Sequence, residues 1–186
     1  MNITETLYAP SRKTWREWLE QHYRSEKEIW LVTYRKQAGK PGISYNDAVE
    51  EALCFGWIDS TVKNLDAERT VQRFSPRRPK SGYSQTNKER LRRLVAQGRV
   101  MEDVRATLGD ILEEKFEIPP DILQALKANE PAWRNFQQYP GRYQRIRIAY
   151  IDGARKRPEE FQERLKHFLR MTEQNKQFGY GIETYF

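Results

Sequence analysis

The chain has 186 residues, of which 38% are hydrophobic, 12% aromatic and 32% charged. This composition is typical of a folded globular protein and excludes an intrinsically disordered chain. The single cysteine excludes an internal disulfide and any multi-cysteine metal cluster. The formal net charge of +7 favours an anionic partner such as nucleic acid, a phosphorylated ligand or a membrane surface.

The positive charge is concentrated between Lys63 and Arg99. This window holds eleven basic and three acidic residues, so its surplus alone exceeds the net charge of the whole chain. The opening residues have neither a basic start nor an apolar run, and no stretch reaches the roughly 20 apolar residues of a membrane-spanning helix. We therefore expect a cytoplasmic protein without a membrane span.

The first third of the chain predicts a helix, a strand and a second helix. An apolar stripe at helical spacing follows Ser11, a suitable N-cap, and ends at His22. A run of β-branched and aromatic residues predicts a strand over 28–34, which a loop rich in glycine and proline ends. Ser44 then begins a capping box for a helix that Gly56 can end.

Two β-like runs, 57–63 and 69–75, predict a hairpin. Alternation along the first run places Asp59 beside Trp57 on one face and Val62 on the other. An arginine of the second run could pair with this aspartate.

The segment after the hairpin favours an anion-binding site. Pro76 and Pro79 hold Arg77 and Arg78 in an extended conformation, and a capping box that begins at Thr86 predicts the next helix. Free backbone N–H groups at a helix N-terminus, preceded by two arginines, suit an anion. On the polar face of this helix we expect three arginines to point toward solvent: Arg90, Arg92 and Arg93.

The remainder of the chain is predicted to be helical, ending in an aromatic tail. A proline pair at 119–120 marks the expected boundary between an α+β domain, 1–118, and an all-helical module, 119–186. The periodicity predicts helices over 100–115, 120–128, 131–138, 143–154 and 158–172.

The candidate ligand-binding residues combine arginine forks, neutral donors and two aromatic walls. They are Trp57, Asp59, Lys63, Arg73, Arg77, Arg78, Ser81, Tyr83, Ser84 and Asn87. The competing interpretation is structural: the two aromatic rings would be core, and Asp59 would pair with an arginine of the fold. Cys54 is interpreted as a small buried hydrophobe rather than a catalytic thiol.

The motifs resemble those of the YdeI/OmpD-associated family, also called the bacteriocin-protection family. The resemblance covers nearly the whole chain. It rests on residues 43–45, 51–60 and 72–79 and on six further residues: Ser81, Ser84, Asn87, Leu94, Gly98 and Arg99. It implies an N-terminal part similar to the YjbR/CyaY-like group, with a small antiparallel sheet, and an association with envelope stress and bacteriocin resistance. Iron binding, which the CyaY comparison suggests, needs clustered carboxylates. Because the charged region here is basic, we predict no metal and no cofactor.

Three functions follow from these features. The first is a non-enzymatic module that binds an anionic small molecule or a phosphate-bearing ligand. The second is nucleic-acid binding, in which arginines follow the phosphate backbone while Trp57, Phe74 and Tyr83 stack on bases. The third is a small enzyme that uses Asp59, whose carboxyl pKa an aromatic wall can raise.

Overall fold

The computed structural model describes residues 2–79 and 81–185, so Met1, Lys80 and Phe186 lie outside the described part. The fold is α+β, as predicted, with a four-stranded sheet in the N-terminal part and mostly helices in the C-terminal half. Within the described residues no helix combines the length and the apolar character needed to cross a membrane.

The chain divides into two units. The first comprises Met1–Gly82 and Arg90–Leu112, and the second comprises Tyr83–Glu89 and Glu113–Phe186. The domain boundary that the sequence places after residue 118 stays a prediction.

The first unit combines a sheet with helices. In chain order its elements are β1 (Thr6–Tyr8), α1 (Arg12–His22), β2 (Ile29–Tyr34), α2 (Tyr45–Cys54), β3 (Trp57–Asn64), β4 (Arg69–Pro76), most of α3 (Gln85–Ala96) and α4 (Glu102–Ala106). The strand order is β1-β2-β4-β3. The hairpin β3–β4 and the pair β2–β4 are antiparallel, whereas β1 is parallel to β2. The sheet is therefore mixed. The helix α1 is the crossover connection that the parallel pair β1–β2 requires.

Side-chain caps mark the starts of the first three helices, α1, α2 and α3. Ser11 caps α1 and Ser44 caps α2, as predicted. The prediction that a capping box begins at Thr86 was wrong, because α3 begins at Gln85 and its capping residue is Ser84. There the Ser84 hydroxyl accepts a hydrogen bond from the Asn87 N–H at 3.3 Å. Thr86 thus lies in the first helical turn.

The helix predicted over 100–115 is much shorter. Only α4 is α-helical there, and a single 3-10 turn follows over Gly109–Ile111. Gly109 has a φ of 45°, a left-handed conformation that interrupts an α-helix.

A β-bulge reverses the expected alternation along β3. Asp59 lies opposite Phe74, but Val62 lies opposite Gln72, so β3 holds one extra residue between these pairs. Val62 therefore shares a face with Asp59, contrary to the sequence-based expectation. Lys63, opposite Val71, lies on the other face of the sheet.

Two carboxylates of α2 organise the charges of the first unit. Glu51 is 0% exposed and pairs with Arg12, with Arg16 at 2.9 Å and with Arg99. Glu50 pairs with Arg12 at 3.1 Å and with an arginine of α3. Ion pairs of this kind compensate for the desolvation of each charge.

The expectation that the arginines of α3 point toward solvent was wrong. Arg90 is buried and donates to the Asn46 side chain at 2.7 Å. Arg92 donates to the Ile111 carbonyl at 3.1 Å, and Arg93 pairs with Glu50. Since these partners belong to other segments, periodicity within α3 does not reveal them.

The second unit is helical. It contains the first turn of α3, then α5 (Pro120–Ala128), α6 (Glu130–Gln138), α7 (Gly141–Asp152) and α8 (Pro158–Glu173). The four predicted C-terminal helices are confirmed, with ends that differ by no more than two residues. Apolar side chains of all four helices and of the tail form one core, which includes Ile122, Phe136, Tyr143, Phe168 and Ile182.

We predict that Glu51→Gln lowers the free energy of unfolding of the first unit by about 3 kcal/mol, because three guanidinium groups lose their shared buried counter-charge. Urea unfolding followed by tryptophan fluorescence measures the change, since four of the five tryptophans belong to this unit.

Glu17→Gln is the matched control. Among the described residues Glu17 pairs only with the exposed Lys13, at 3.7 Å, so the loss of this pair costs less than about 1 kcal/mol. Equal effects of the two substitutions would contradict the role assigned to Glu51.

Candidate functional site

The two charged residues predicted to meet across the hairpin find other partners. The Arg73 Nε lies 2.7 Å from Glu28 Oε2, in the segment before β2. Asp59 accepts hydrogen bonds from the Tyr45 hydroxyl at 3.1 Å and from the Gln72 amide at 2.9 Å. Asp59 is therefore held by neutral donors, and the pairing of an arginine with Asp59 expected from the sequence is not formed.

The aromatic rings of the hairpin belong to the core. Trp57 is 1% exposed and donates its indole N–H to the Tyr23 carbonyl at 3.1 Å. Phe74 is also fully buried. Lys63 places its ammonium 5.5 Å from the centre of the Trp30 ring, on the opposite face of the sheet from Asp59. Neither Trp57 nor Phe74 offers a surface on which a base could stack.

The proline-bracketed arginines lie in a loop that Arg77 holds together. Arg77 Nη2 donates to the Gly82 carbonyl at 2.8 Å and to the Ser81 carbonyl at 3.3 Å. Ser81 donates its hydroxyl to the Arg78 carbonyl at 2.8 Å, and the Arg78 side chain is exposed. The described contacts of Arg77 and Ser81 thus shape this loop.

The last three predicted residues, Tyr83, Ser84 and Asn87, belong to the second unit. Ser84 caps α3, and Asn87 is buried in its first turn. The ten residues chosen from the sequence are thus divided between the two units, and their role as a ligand site stays a prediction.

A pocket of about 700 Å³ lies within the second unit. This volume falls in the range of small-molecule sites. Its lining consists of Thr86, Ile146, Arg147, Tyr150, Glu160, Glu163, Arg164, His167, Phe178, Gly179, Tyr180 and Ile182. None of the ten residues predicted from the sequence is among them.

Helical spacing explains why these side chains meet. Glu160, Glu163, Arg164 and His167 stand at i, i+3, i+4 and i+7, which is one face of α8. The α7 side of the pocket consists of Ile146, Arg147 and Tyr150.

The chain after α8 supplies a third wall, and Thr86 of α3 completes the described lining. The Phe178 N–H donates to the Tyr143 hydroxyl at 3.0 Å, which anchors this segment to α7. Gly179 has a φ of 140°, and an added Cβ would lie 2.6 Å from Ile182 Cδ1. Only glycine fits this position without a shift of the buried Ile182.

Arg147 is the unusual member of the pocket. It is only 6% exposed, and its guanidinium Cζ lies 3.9 Å from the centre of the Phe178 ring and 4.7 Å from that of Tyr150. Within the described residues it forms no ion pair, and its buried Nε has no hydrogen-bond partner. Burial lowers the pKa of this guanidinium below its ordinary value, and the positive charge of Arg164 acts in the same direction.

Three neighbouring side chains of α8, Glu160, Arg164 and His167, form ion pairs or hydrogen bonds within the protein. Arg164 pairs with Glu160 and donates to the Tyr150 carbonyl at 2.6 Å. The nearby Arg157 and Arg164 lower the pKa of the Glu160 carboxyl. His167 accepts from Arg170 through Nδ1 at 3.0 Å, since a guanidinium can only donate. Arg147 has no such partner within the described part of the chain.

The sequence contains a signal for this residue that periodicity alone does not interpret. Arg147 stands between Ile146 and Ile148, both of which are buried. Arginine is rarely buried unless it is paired, so a basic residue between two buried isoleucines indicates that an opposite charge is needed nearby.

Neither a metal centre nor a reactive thiol is evident among the described residues. No group of three or more His, Cys, Asp or Glu side chains there is arranged to hold a metal ion. Cys54 is fully buried at the end of α2, and desolvation raises the pKa of its thiol to about 11. This agrees with its interpretation as a small apolar side chain.

Comparisons with known protein families assign both parts of the chain. Residues 7–107 match the family model described as Domain of unknown function (DUF8412). Residues 115–175 match the model described as Bacteriocin-protection, YdeI or OmpD-Associated, which supports the resemblance seen in the sequence. A likeness of the N-terminal part to the YjbR/CyaY-like group is not shown, since that part matches the other model. No curated protein and no solved structure matches the chain.

We predict that iodoacetamide at pH 8 modifies Cys54 only after the chain unfolds, because the thiol is buried and protonated. Mass spectrometry with and without urea measures the labelling. The folded chain also retains this proton over a pH range in which the unfolded chain loses it, so the thiol's contribution to stability falls as pH rises from about 9 to 11. Equal labelling rates of the folded and unfolded chains would contradict this account.

Proposed function

The chain belongs to the family of the domain of unknown function DUF8412, and we propose that its second unit is a non-enzymatic binding module for a small organic anion. The ligand's carboxylate or phosphate would be received by Arg147, in the pocket formed by α7, α8 and the segment that follows α8. The observation that carries the proposal is the burial of this guanidinium without an ion pair among the described residues.

The energetics of a buried cation support this proposal. An ionised group removed from water is strongly destabilised unless an opposite charge and hydrogen bonds compensate for the lost hydration. The two aromatic faces beside Arg147 compensate in part, since each cation–π contact contributes about 0.5–2 kcal/mol. A bound anion would supply the missing counter-charge and hydrogen-bond acceptors, including those for a guanidinium fork.

The first unit provides an internal comparison. The partly buried arginines around Glu51 each pair with its carboxylate, so in this cluster the fold itself supplies the counter-charge. Arg147 is more deeply buried than any of these, and no carboxylate among the described residues pairs with it. The difference favours a ligand over a purely structural role.

The pocket is suited to binding rather than to catalysis. Its described lining has no cysteine, serine or lysine as a nucleophile, and its histidine is exposed and bonded to Arg170. The matched family description names bacteriocin protection. We propose that capture of an anionic small molecule is the contribution of this unit to such a role.

We predict that hydrocinnamate, a carboxylate attached to a phenyl ring, binds the whole chain and that Arg147→Met weakens this binding at least tenfold. Methionine retains the length and apolar contacts of the side chain but removes the charge. Because replacing a buried unpaired charge with an apolar group is often neutral or stabilising, we expect an unchanged or higher melting temperature. Isothermal titration and far-UV circular dichroism measure the two quantities.

Arg134→Met in α6 is the matched control, because Arg134 is exposed and pairs with Glu130 on the surface. It should leave hydrocinnamate binding unchanged. Equal binding by the parent and Arg147→Met chains would refute the proposed function. So would destabilisation of Arg147→Met by more than about 2 kcal/mol, which would identify Arg147 as a structural link between the two rings.

A further inference from the structure

The charged side chains that line the pocket indicate more about the ligand than that it is an anion. Arg164 and Glu160 pair with each other, so they contribute little net charge to a ligand. Two charges remain without an ion pair in the described residues, the cation Arg147 on α7 and the anion Glu163 on α8. These two residues do not pair with each other although both line the same cavity.

From this arrangement we infer that the ligand is zwitterionic, an α-amino acid with an aromatic side chain. This inference rests on the proposed function and narrows it to one ligand class. The carboxylate of the amino acid would bind Arg147, and its ammonium would bind Glu163. Such a ligand supplies both missing counter-charges at once, whereas a simple anion leaves Glu163 unpaired and adds a negative charge near it.

The aromatic part of the ligand has a matching wall. Tyr180 is 91% exposed although it lines the pocket, and no ring contact within the described residues occupies its faces. An exposed tyrosine beside a binding cavity offers a flat apolar surface and a hydroxyl. Ile146 and Ile182 add aliphatic surface to the same cavity. An aromatic side chain can therefore stack on Tyr180 while the charged end of the ligand lies deeper.

The dimensions suit this class of ligand. A cavity of about 700 Å³ accommodates an aromatic amino acid together with some water. The deep position of Arg147 and the exposed position of Glu163 also set the orientation. The carboxylate would lie at the buried end, and the ammonium would lie toward solvent, where its hydration is partly retained.

Three ligands with the same phenyl group test the inference. L-Phenylalanine carries both charges, hydrocinnamate lacks the ammonium, and phenethylamine lacks the carboxylate. We expect L-phenylalanine to bind the parent chain at least tenfold more tightly than hydrocinnamate, and phenethylamine to bind most weakly. Isothermal titration at low salt measures all three, because screening weakens the exposed interaction with Glu163.

Glu163→Gln isolates the ammonium contact. It should reduce L-phenylalanine binding to the level of hydrocinnamate and should not weaken hydrocinnamate binding. Since Glu163 is exposed and forms no ion pair among the described residues, the substitution should leave the melting temperature unchanged. Glu159→Gln, at another exposed acid of α8 that does not line the pocket, is the matched control and should preserve the preference for L-phenylalanine.

The possible failures are distinguishable. If hydrocinnamate binds through Arg147 but L-phenylalanine binds no more tightly, the zwitterion inference is overturned and the anion module stands. A preference for L-phenylalanine that survives Glu163→Gln also overturns it. If neither hydrocinnamate nor L-phenylalanine binds, or if both bind the Arg147→Met chain as tightly as the parent chain, the proposed function fails as well.

Discussion

The second unit is built around a buried guanidinium that contacts two aromatic rings and has no ion pair among the residues that the structure describes. The rings of Phe178 and Tyr150 shield the charge of Arg147 from water without neutralising it. Because uncompensated burial of a charge opposes folding, such an arrangement persists when the surrounding fold imposes it. Here the fold does so through the Tyr143–Phe178 hydrogen bond and the close packing of Gly179 against Ile182.

Arg147 differs in this respect from the arginines that surround Glu50 and Glu51 in the first unit. In the first unit, carboxylates of α2 pair with arginines from α1, from α3 and from the segment after α3, so part of the basic surplus in the sequence serves the fold. In the second unit, Arg147 lies against the rings of Phe178 and Tyr150 and has no carboxylate partner in the part of the chain that the structure describes. Local charge density in the sequence predicts a ligand site mainly in the first unit. The burial of Arg147 without an ion pair among the described residues favours a site in the second unit.

The sequence predicts the elements better than it predicts the site. Local signals such as the caps at Ser11 and Ser44, and the helical periodicity after Pro120, are sufficient for those elements because neighbouring residues determine them. The partners of Arg73 and Arg93 lie about forty residues away in the chain, so their ion pairs have no local signature. The bulge in β3 also escapes detection, since one extra residue reverses the alternation without altering its composition.

The central claim is that the Arg147 guanidinium is the group that receives the ligand. Heteronuclear NMR of the arginine Nε–H groups tests it directly, with the Arg147 signal assigned from its loss in Arg147→Met. On titration with L-phenylalanine, we expect this signal to shift in a saturable manner while that of Arg134 stays fixed. An Arg147 signal that does not move at millimolar ligand, or one that moves no more than the exposed arginines, would contradict the account.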